Sequence, residues 1–322
     1  MTTALKAPFP YAGGKSRVAS VIWERLGNVS SFVDPFFGSG AILLGRPHAP
    51  KTETVNDADG LLCNAWRAMK YAPDEVAKYA DWPVSEADLH ARHYWLITEG
   101  KARLEGVLNS PEAYDAKVAG WWIWGACLWI GSGWCGGGGP WLPGENGEWI
   151  DRKLPLLGAG QGIHRQLPHL GDAGRGEKIA QYFSLLSSRL ERVRIACGDW
   201  SRVMGECVTT RHGLTGVFLD PPYQDGKHSF EYSGGGGVFE DVWNWAVANG
   251  DNPLMRIAIC GYDDGRQAPP AWTCHAWKAA GGYGSQGHGR GRENCKRERI
   301  WFSPSCLPPV QSDLFTPLDT AP

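Results

Sequence analysis

Short apolar runs that end in polar residues alternate with stretches of helical periodicity along most of the chain. Ser31 to Asp34 is an apolar run closed by a proline, and residues 52–56 form a second run that ends in Asp57. Apolar residues at helical spacing follow each run, and Asp59 can cap the second helix. The same reasoning predicts a helix over 177–192 and strands over 193–197, 216–219, 256–260 and 299–302. Alternation of this kind is typical of an α/β sheet.

The middle of the chain has a different pattern. Helical periodicity covers residues 85–107, and the Ser110-Pro111 pair predicts the start of a second helix that ends before Gly131. At helical spacing, Trp121, Trp124 and Trp129 are predicted to pack this region together. Residues 134–176 are rich in Gly and Pro and predict loops.

These patterns predict one α/β domain that is interrupted by an insertion. Residues 1–72 and 177–303 form the two parts of the domain, and residues 73–176 form a mainly helical insertion. The Pro-rich residues 304–322 are predicted to be an unfolded tail.

Composition limits the class of protein. With 322 residues, 43% of them hydrophobic, the chain can bury a large core. Its 32 basic and 34 acidic residues nearly cancel, so a surface for nucleic acid must come from local basic segments. The nine cysteines include no Cys-x-x-Cys pair, and the histidines lack metal-ligand spacing. We therefore expect no disulfide framework, no metal site and a reducing cytosol.

The most apolar run, Trp121 to Trp134, is too short and too rich in glycine to cross a bilayer. No segment near the start has the apolar core of a signal peptide. We expect a soluble protein that does not bind membranes, located in the cytoplasm of a bacterial host cell and encoded by the cell or by a virus.

A glycine turn follows the first predicted strand. In Asp34-Pro-Phe-Phe-Gly-Ser-Gly40, the glycines allow the backbone to come close to a nucleotide-like ligand. Asp57 ends the next strand, where a carboxylate can bind ribose hydroxyls. An ordinary tight turn would have the same sequence.

The segment Asp220-Pro221-Pro222-Tyr223 follows a very apolar strand. Prolines stiffen a turn and cannot donate hydrogen bonds. The Asp220 carboxylate and the Pro221 carbonyl are therefore fixed acceptors, suited to an exocyclic amino group, and the Tyr223 ring can stack on a planar base. This combination indicates a site for a flipped-out nucleobase.

Five segments, in chain order, carry a family resemblance: FPYAGGKSR, VDPFFGSG, the strand that ends in Asp57, ACGDW and FLDPPY. Together they resemble the Dam-type (class alpha) N6-adenine-specific DNA methyltransferases. The resemblance implies a Rossmann-like domain that binds S-adenosylmethionine, with a target-recognition insertion. It also implies transfer of a methyl group to N6 of a flipped-out adenine in double-stranded DNA. Many family members have Trp where this chain has Tyr11. Tyrosine still provides an aromatic ring to cover the cofactor.

The resemblance also implies roles for single residues. Lys15 would lie near the methionine carboxylate of S-adenosylmethionine, Asp57 would bind its ribose, and Asp199 would accept from its adenine amino group. The remaining residues that would border the cofactor are Tyr11, Asp34, Phe36, Gly38, Gly40, Trp200 and Asp220. The residues that would hold the target base and form the catalytic motif are Asp220, Pro221, Pro222 and Tyr223.

DNA contacts are predicted in two basic segments. Residues 152–194 contain eight basic and three acidic residues, and residues 278–299 contain six and two. Arginine is the usual bidentate partner of guanine, and glycine-rich basic loops can follow a phosphate backbone. The candidate DNA-binding residues are Arg165 and Arg175 for guanine, Arg290 and Arg292 for phosphates, and Trp134 and Trp141 as wedges beside the flipped base. The alternative interpretation of the loop that contains Arg290 and Arg292 is a basic surface that contacts only solvent.

The tail contains one short peptide of interest. Gln311 to Phe315 resembles the Gln-x-x-Leu-Phe peptides that dock on the bacterial sliding clamp. A sliding clamp is therefore a second expected partner.

Three alternatives to adenine methylation stay open at the level of sequence. The Asp-Pro-Pro-Tyr turn could hold the N4 amino group of cytosine instead. The same site could transfer a larger group from a different donor, or the chain could be an idle DNA-binding module. The carboxylates Asp57, Asp199 and Asp220 argue against the idle module, because it would have no chemical need for them.

Overall fold

A computed structural model provides the structure of this protein. It describes residues 5–11, 13–49, 51–108, 110, 112–129, 134–135, 141–143, 149–151, 176–222, 237–277 and 297–309.

The centre of the fold is a seven-stranded sheet in the order β5-β2-β1-β6-β7-β9-β8. The strands are β1 (Ser31–Asp34), β2 (Thr52–Asp57), β5 (Val193–Cys197), β6 (Thr215–Leu219), β7 (Met255–Tyr262), β8 (Thr273–Ala276) and β9 (Glu298–Phe302). The first five strands of the order are parallel, whereas β9 runs antiparallel to both β7 and β8. The predicted α/β class and its strands are confirmed. Strand β8 and the antiparallel direction of β9 were not predicted.

Helices cover both faces of the sheet. The helices in the described part of the chain are α1 (Ala19–Leu26), α2 (Ala41–Leu44), α3 (Gly60–Tyr71), α4 (Pro73–Ala80), α5 (Glu86–Trp95), α6 (Lys101–Leu108), α7 (Ala116–Leu128), α8 (Glu177–Leu190) and α9 (Val238–Asn249). A π-helical turn at Leu96–Gly100 joins α5 to α6, and short 3-10 turns lie at Trp200–Val203 and Thr210–His212. A separate antiparallel hairpin pairs β3 (Trp141–Pro143) with β4 (Trp149–Asp151), in a stretch that was predicted to be loop.

The strand residues alternate between two cores. On β6, Phe218 packs into the core under α1, α3, α7 and α8, whereas Val217 and Leu219 pack on the opposite face against α9. Strand β7 divides in the same way, with Ala258 and Ile259 on opposite faces. A sheet buried on both faces explains why these strands read as unbroken apolar runs.

The helices of the predicted insertion pack directly on those of the α/β domain. Helix α7 lies against α3 and α4, and α4 also contacts α8. Asn64 of α3 is fully buried and exchanges two hydrogen bonds of 2.9 Å with the backbone of Asp115. The Asp115 side chain caps α7 by accepting from the Val118 amide. This cap sets the helix start at Ala116, whereas the Ser110-Pro111 pair predicted an earlier one.

Tryptophan rings of the helical layer enclose a buried arginine. The Arg92 guanidinium carbon lies 4.4–4.8 Å from the ring centres of Trp82, Trp121 and Trp124. Beside it, the fully buried ring of His93 stacks on Trp129 at 4.9 Å. The prediction that the tryptophans of this region hold it together is confirmed.

The end of the described chain is bound to α1. Arg25 donates to the Leu307 carbonyl and accepts from the Leu307 amide, and Arg256 donates to the Ser305 carbonyl. Cys306 is buried. The predicted unfolded tail was set to begin at residue 304, but residues 304–309 are docked by these bonds.

Within the described part of the chain, no helix has the length and apolar character needed to cross a membrane.

A buried ion triad at the amino end of the sheet leads to a stability prediction. Glu53 of β2, 1% exposed, pairs with Arg46 at 3.0 Å and with Arg189 of α8 at 2.7 Å. Glu53→Gln leaves both guanidinium groups without a counter-charge. It should lower the free energy of unfolding by about 3–5 kcal/mol in urea titrations. Glu24→Gln, at an exposed position of α1, is the control and should change it by less than about 0.5 kcal/mol. Equal effects of the two changes would contradict the assignment.

The stacked imidazole leads to a pH prediction. Burial, together with the charges of His90 and Lys101, lowers the pKa of His93 to about 4 from an ordinary value near 6.5. The unfolded chain therefore takes up a proton first as the pH falls, and stability is lost between about pH 6.5 and 4. His93→Phe should remove about 2–3 kcal/mol of this loss at pH 4. The exposed His212→Phe control should keep the full pH dependence in chemical denaturation. A wild-type pH dependence in His93→Phe would refute this reasoning.

Candidate active site

The carboxyl ends of β1 and β6 meet where the strand order reverses. The chain passes from β1 to β2 on one side, and β6 lies on the other side with Val33 paired to Val217. Asp34 ends β1 and Asp220 follows β6, so the two carboxylates lie at the ends of neighbouring strands. In open parallel sheets, ligands bind in the crevice outside the strand ends at such a point.

The glycine turn after β1 lies between an aromatic ring and a carboxylate. Gly38 has a φ of +49°, and its amide donates to Asp57 Oδ2 at 3.0 Å. A Cβ atom at Gly38 would lie 2.8 Å from the Tyr11 ring. Gly40, with a φ of +65°, precedes α2 and lies as tightly against the Phe37 ring. Both glycines are therefore required by backbone conformation and by close approach.

Asp57 is a buried carboxylate held by backbone amides. It is 5% exposed and accepts from the amides of Gly38 and Asp59, each at 3.0 Å. Burial raises the pKa of Asp57 to about 6, although both hydrogen bonds oppose that rise. Carboxylates with a shift of this kind are concentrated at functional sites.

Asn56 connects three strand ends at the same edge. Its fully buried side-chain amide donates to the carbonyls of Pro35 and Gly198, at 3.1 and 2.9 Å. The turns after β1, β2 and β5 are thereby tied together. Sequence reasoning missed this residue, although a polar amide next to Asp57 in a buried strand was a usable signal.

The turn after β5 brings Asp199 and Trp200 to the crevice. Asp199 is exposed and caps the following 3-10 turn by accepting from the Ser201 amide at 2.9 Å. Trp200 stacks on Phe36, with ring centres 6.3 Å apart and an angle of 26°. Two predicted residues that are distant in sequence are therefore in contact.

Lys15 is buried against the Asp-Pro-Pro motif. Its Nζ atom lies 2.8 Å from Asp220 Oδ2 and donates to the Gly13 carbonyl at 2.8 Å. The side chains of Lys15 and Asp220 are 4% and 18% exposed. Burial alone lowers the pKa of Lys15, but the charge of Asp220, with those of Cys260 and Glu298, raises it above its usual value. Glu298, at the start of β9, was not predicted as a site residue.

Asp34 shares this electrostatic environment. It is 1% exposed, and the Phe36 amide donates to its Oδ1 atom at 3.2 Å. Burial raises the pKa of Asp34 well above its usual value, and the negative charge of Asp220 adds to the rise. The next motif residue, Pro221, is buried, and Pro222 is half-buried.

The structure describes the remaining predicted residues to three different extents. Trp134 is half-buried; its ring packs 5.3 Å from that of Trp129, and its Nε1 donates to the Trp122 carbonyl at 3.0 Å. These contacts engage the side chain in the helical layer. Trp141 lies in β3, where only its backbone is described. The residues that lie outside the described part of the chain are Arg165, Arg175, Tyr223, Arg290 and Arg292.

In the described part of the chain, no three His, Cys, Asp or Glu side chains converge in a way that could hold a metal ion.

The tight fit at Gly38 leads to a prediction. Gly38→Ala places a methyl group against the Tyr11 ring in a conformation that disfavours any side chain. It should lower the free energy of unfolding by about 1–3 kcal/mol in chemical denaturation. Gly106→Ala, in α6 with open space around it, is the matched control and should raise it by up to about 1 kcal/mol. A neutral Gly38→Ala would show that Tyr11 does not cover the turn.

A family model matches part of the chain. No curated protein matches the chain. Residues 11–109, which run from Tyr11 through the glycine turn and Asp57 to the end of α6, match the family model of the D12 class N6 adenine-specific DNA methyltransferases. This match confirms the resemblance found in the sequence, and it points to S-adenosylmethionine-dependent methylation of adenine N6 in DNA as the activity of this enzyme.

Proposed function

We propose that the crevice at the ends of β1, β2, β5 and β6 holds both the methyl donor and a flipped-out adenine. The observation that carries this proposal is the convergence of Asp34, Asp57 and Asp220 at one edge of the sheet, around a glycine turn with no room for side chains. Buried carboxylates beside a backbone turn without side chains are suited to polar ligands with hydroxyl and amino groups.

The residues present fit S-adenosylmethionine. A Cβ atom at Gly38 would fill the space that the Tyr11 ring now covers, and Asp57 has a carboxylate oriented by two amides. We propose that Asp57 binds the ribose hydroxyls and that Asp199 accepts from the adenine amino group. The rings of Phe36 and Trp200 would flank the cofactor, and the residues that complete its surroundings would be Tyr11, Asp34, Gly38 and Gly40. When bound, S-adenosylmethionine supplies a methyl group on a positively charged sulfur.

Asp220 and Pro221 would activate the target amine. The lone pair of an aromatic amino group is delocalised into the ring, which makes the nitrogen a poor nucleophile. Hydrogen bonds from both amino hydrogens to the Asp220 carboxylate and the Pro221 carbonyl favour a pyramidal nitrogen with an available lone pair. Positioning and fixed electrostatics of this kind supply much of an enzymatic rate. Pro222 stiffens the turn, and Tyr223 would stack on the base.

DNA binding by the insertion and the basic segments remains part of the proposal. Base flipping needs contacts that hold the duplex while the base leaves the stack. We assign these contacts to residues outside the described part of the chain: Arg165, Arg175, Arg290 and Arg292. The clamp-binding peptide at 311–315 lies outside it as well and stays a prediction, as does the cytoplasmic location.

The test is product analysis. Purified protein, unmethylated bacterial DNA and S-adenosylmethionine are incubated, and the DNA is digested to nucleosides for mass spectrometry. N6-methyldeoxyadenosine is expected. Methyl on cytosine N4 would keep the site but change the target, and cofactor binding without product would favour another donor or an idle module.

Substitution of Asp220 tests the site itself. Asp220→Ala should retain equilibrium binding of S-adenosylmethionine and lose on the order of 10²–10³-fold in methyl transfer. Asp251→Ala, at an exposed position before the amino end of β7, is the matched control and should keep the wild-type rate. An unchanged rate in Asp220→Ala would refute the assignment of this carboxylate.

A further inference from the structure

A lysine buried beside the proposed catalytic carboxylate has its position fixed from two sides. The Lys15 Nζ atom binds the Gly13 carbonyl and Asp220 Oδ2, both at 2.8 Å, and the side chain is 4% exposed. Burying an ammonium group is costly unless hydrogen bonds and a counter-charge compensate it. Lys15 is therefore held at Asp220 by the fold itself.

Other acidic groups surround this pair. Asp34 of β1 is 1% exposed, Glu298 of β9 is 6% exposed, and the Cys260 thiol of β7 is fully buried. Asp34 is electrostatically coupled to Asp220, while Cys260 and Glu298 are coupled to Lys15. Trp277 forms one wall, with its ring centre 5.9 Å from Nζ. In this environment the positive charge of Lys15 offsets the repulsion between neighbouring carboxylates.

The chemistry of a carboxyl group shows why that charge matters. An ionised carboxylate only accepts hydrogen bonds, whereas a protonated carboxyl group also donates one. A cation 2.8 Å from a carboxylate favours its ionised form, so removing the cation favours protonation. Loss of the cation would therefore convert an acceptor for the amino group into a partial donor. The contact through Oδ2 also fixes the rotation of the Asp220 side chain.

We propose that Lys15 is a positioning residue that acts through Asp220, keeping this carboxylate ionised and oriented to accept from the amino group of the target base. This role rests on the proposed function. It differs from the role implied by family resemblance, in which Lys15 lies near the methionine carboxylate of the cofactor. The two roles predict different defects.

The first experiment measures single-turnover methylation against pH for the wild type, Lys15→Met, Lys15→Arg and the control Lys70→Met. Lys70 binds the Val193 carbonyl, away from the crevice. Lys15→Met should lose about 100-fold in rate at pH 7.5, and the acid limb of its profile should move up by at least about one pH unit. Lys15→Arg should return the limb toward its wild-type position, and Lys70→Met should not move it.

Equilibrium binding of S-adenosylmethionine separates the two roles. The dissociation constant of Lys15→Met should stay within about threefold of the wild-type value. A loss of affinity above tenfold with an unmoved acid limb would overturn the proposal in favour of direct cofactor binding. Wild-type product analysis tests the underlying function separately. Absence of N6-methyladenine would overturn the proposed function and with it this role, whereas product with an unmoved limb overturns the role alone.

A double-mutant cycle tests the ion pair without any activity. Lys15→Met, Asp220→Asn and the double variant are compared in thermal unfolding. The double variant should melt above the value expected from adding the two single losses, because it leaves neither charge unpaired. Additive losses would overturn the proposal. The double variant also keeps the test informative if Lys15→Met alone folds poorly.

Discussion

The parallel pairing of β1 with β2 on one side and with β6 on the other positions the whole candidate site. All four residues of β1 are buried, and its two neighbours end at the same edge of the sheet. Three carboxylates, Asp34, Asp57 and Asp220, are thereby brought into one crevice from positions up to 186 residues apart in the chain. The sheet creates the site, and it also creates the problem of placing like charges close together.

The three carboxylates differ in how far neighbouring groups compensate their charge. Asp57 is held by two backbone amides, Asp34 by one, and Asp220 by the ammonium group of Lys15. The raised pKa values of Asp34 and Asp57 show that compensation at this edge is incomplete. Glu53, at the other edge of the sheet, differs because two arginines neutralise it directly. The edge that contains Glu53 therefore stabilises the fold. The edge that contains Asp34 and Asp57 keeps carboxylates whose protonation a bound ligand can change.

The helical layer ties the central part of the chain to the α/β core. Asn64 links α3 to the start of α7, and the Trp82, Trp121 and Trp124 rings enclose Arg92. These contacts hold the helices between residues 73 and 128 against the helices that pack on the sheet. The target-recognition role of the 73–176 insertion stays a proposal.

The α/β class, most strands and the residues at their carboxyl ends could be predicted from the amino-acid pattern, because buried parallel strands appear as apolar runs and glycine turns have few alternatives. Periodicity placed α7 but not its first residue, since the cap comes from Asp115 and depends on Asn64 in another helix. The sequence could not show that Lys15 pairs with Asp220, or that Asn56 and Glu298 lie at the site. It also could not show that Trp134 packs beside Trp129. Those features depend on which strands become neighbours and on how much water they exclude. Both are set when the chain folds, because charge compensation and close packing join residues that are remote along the chain.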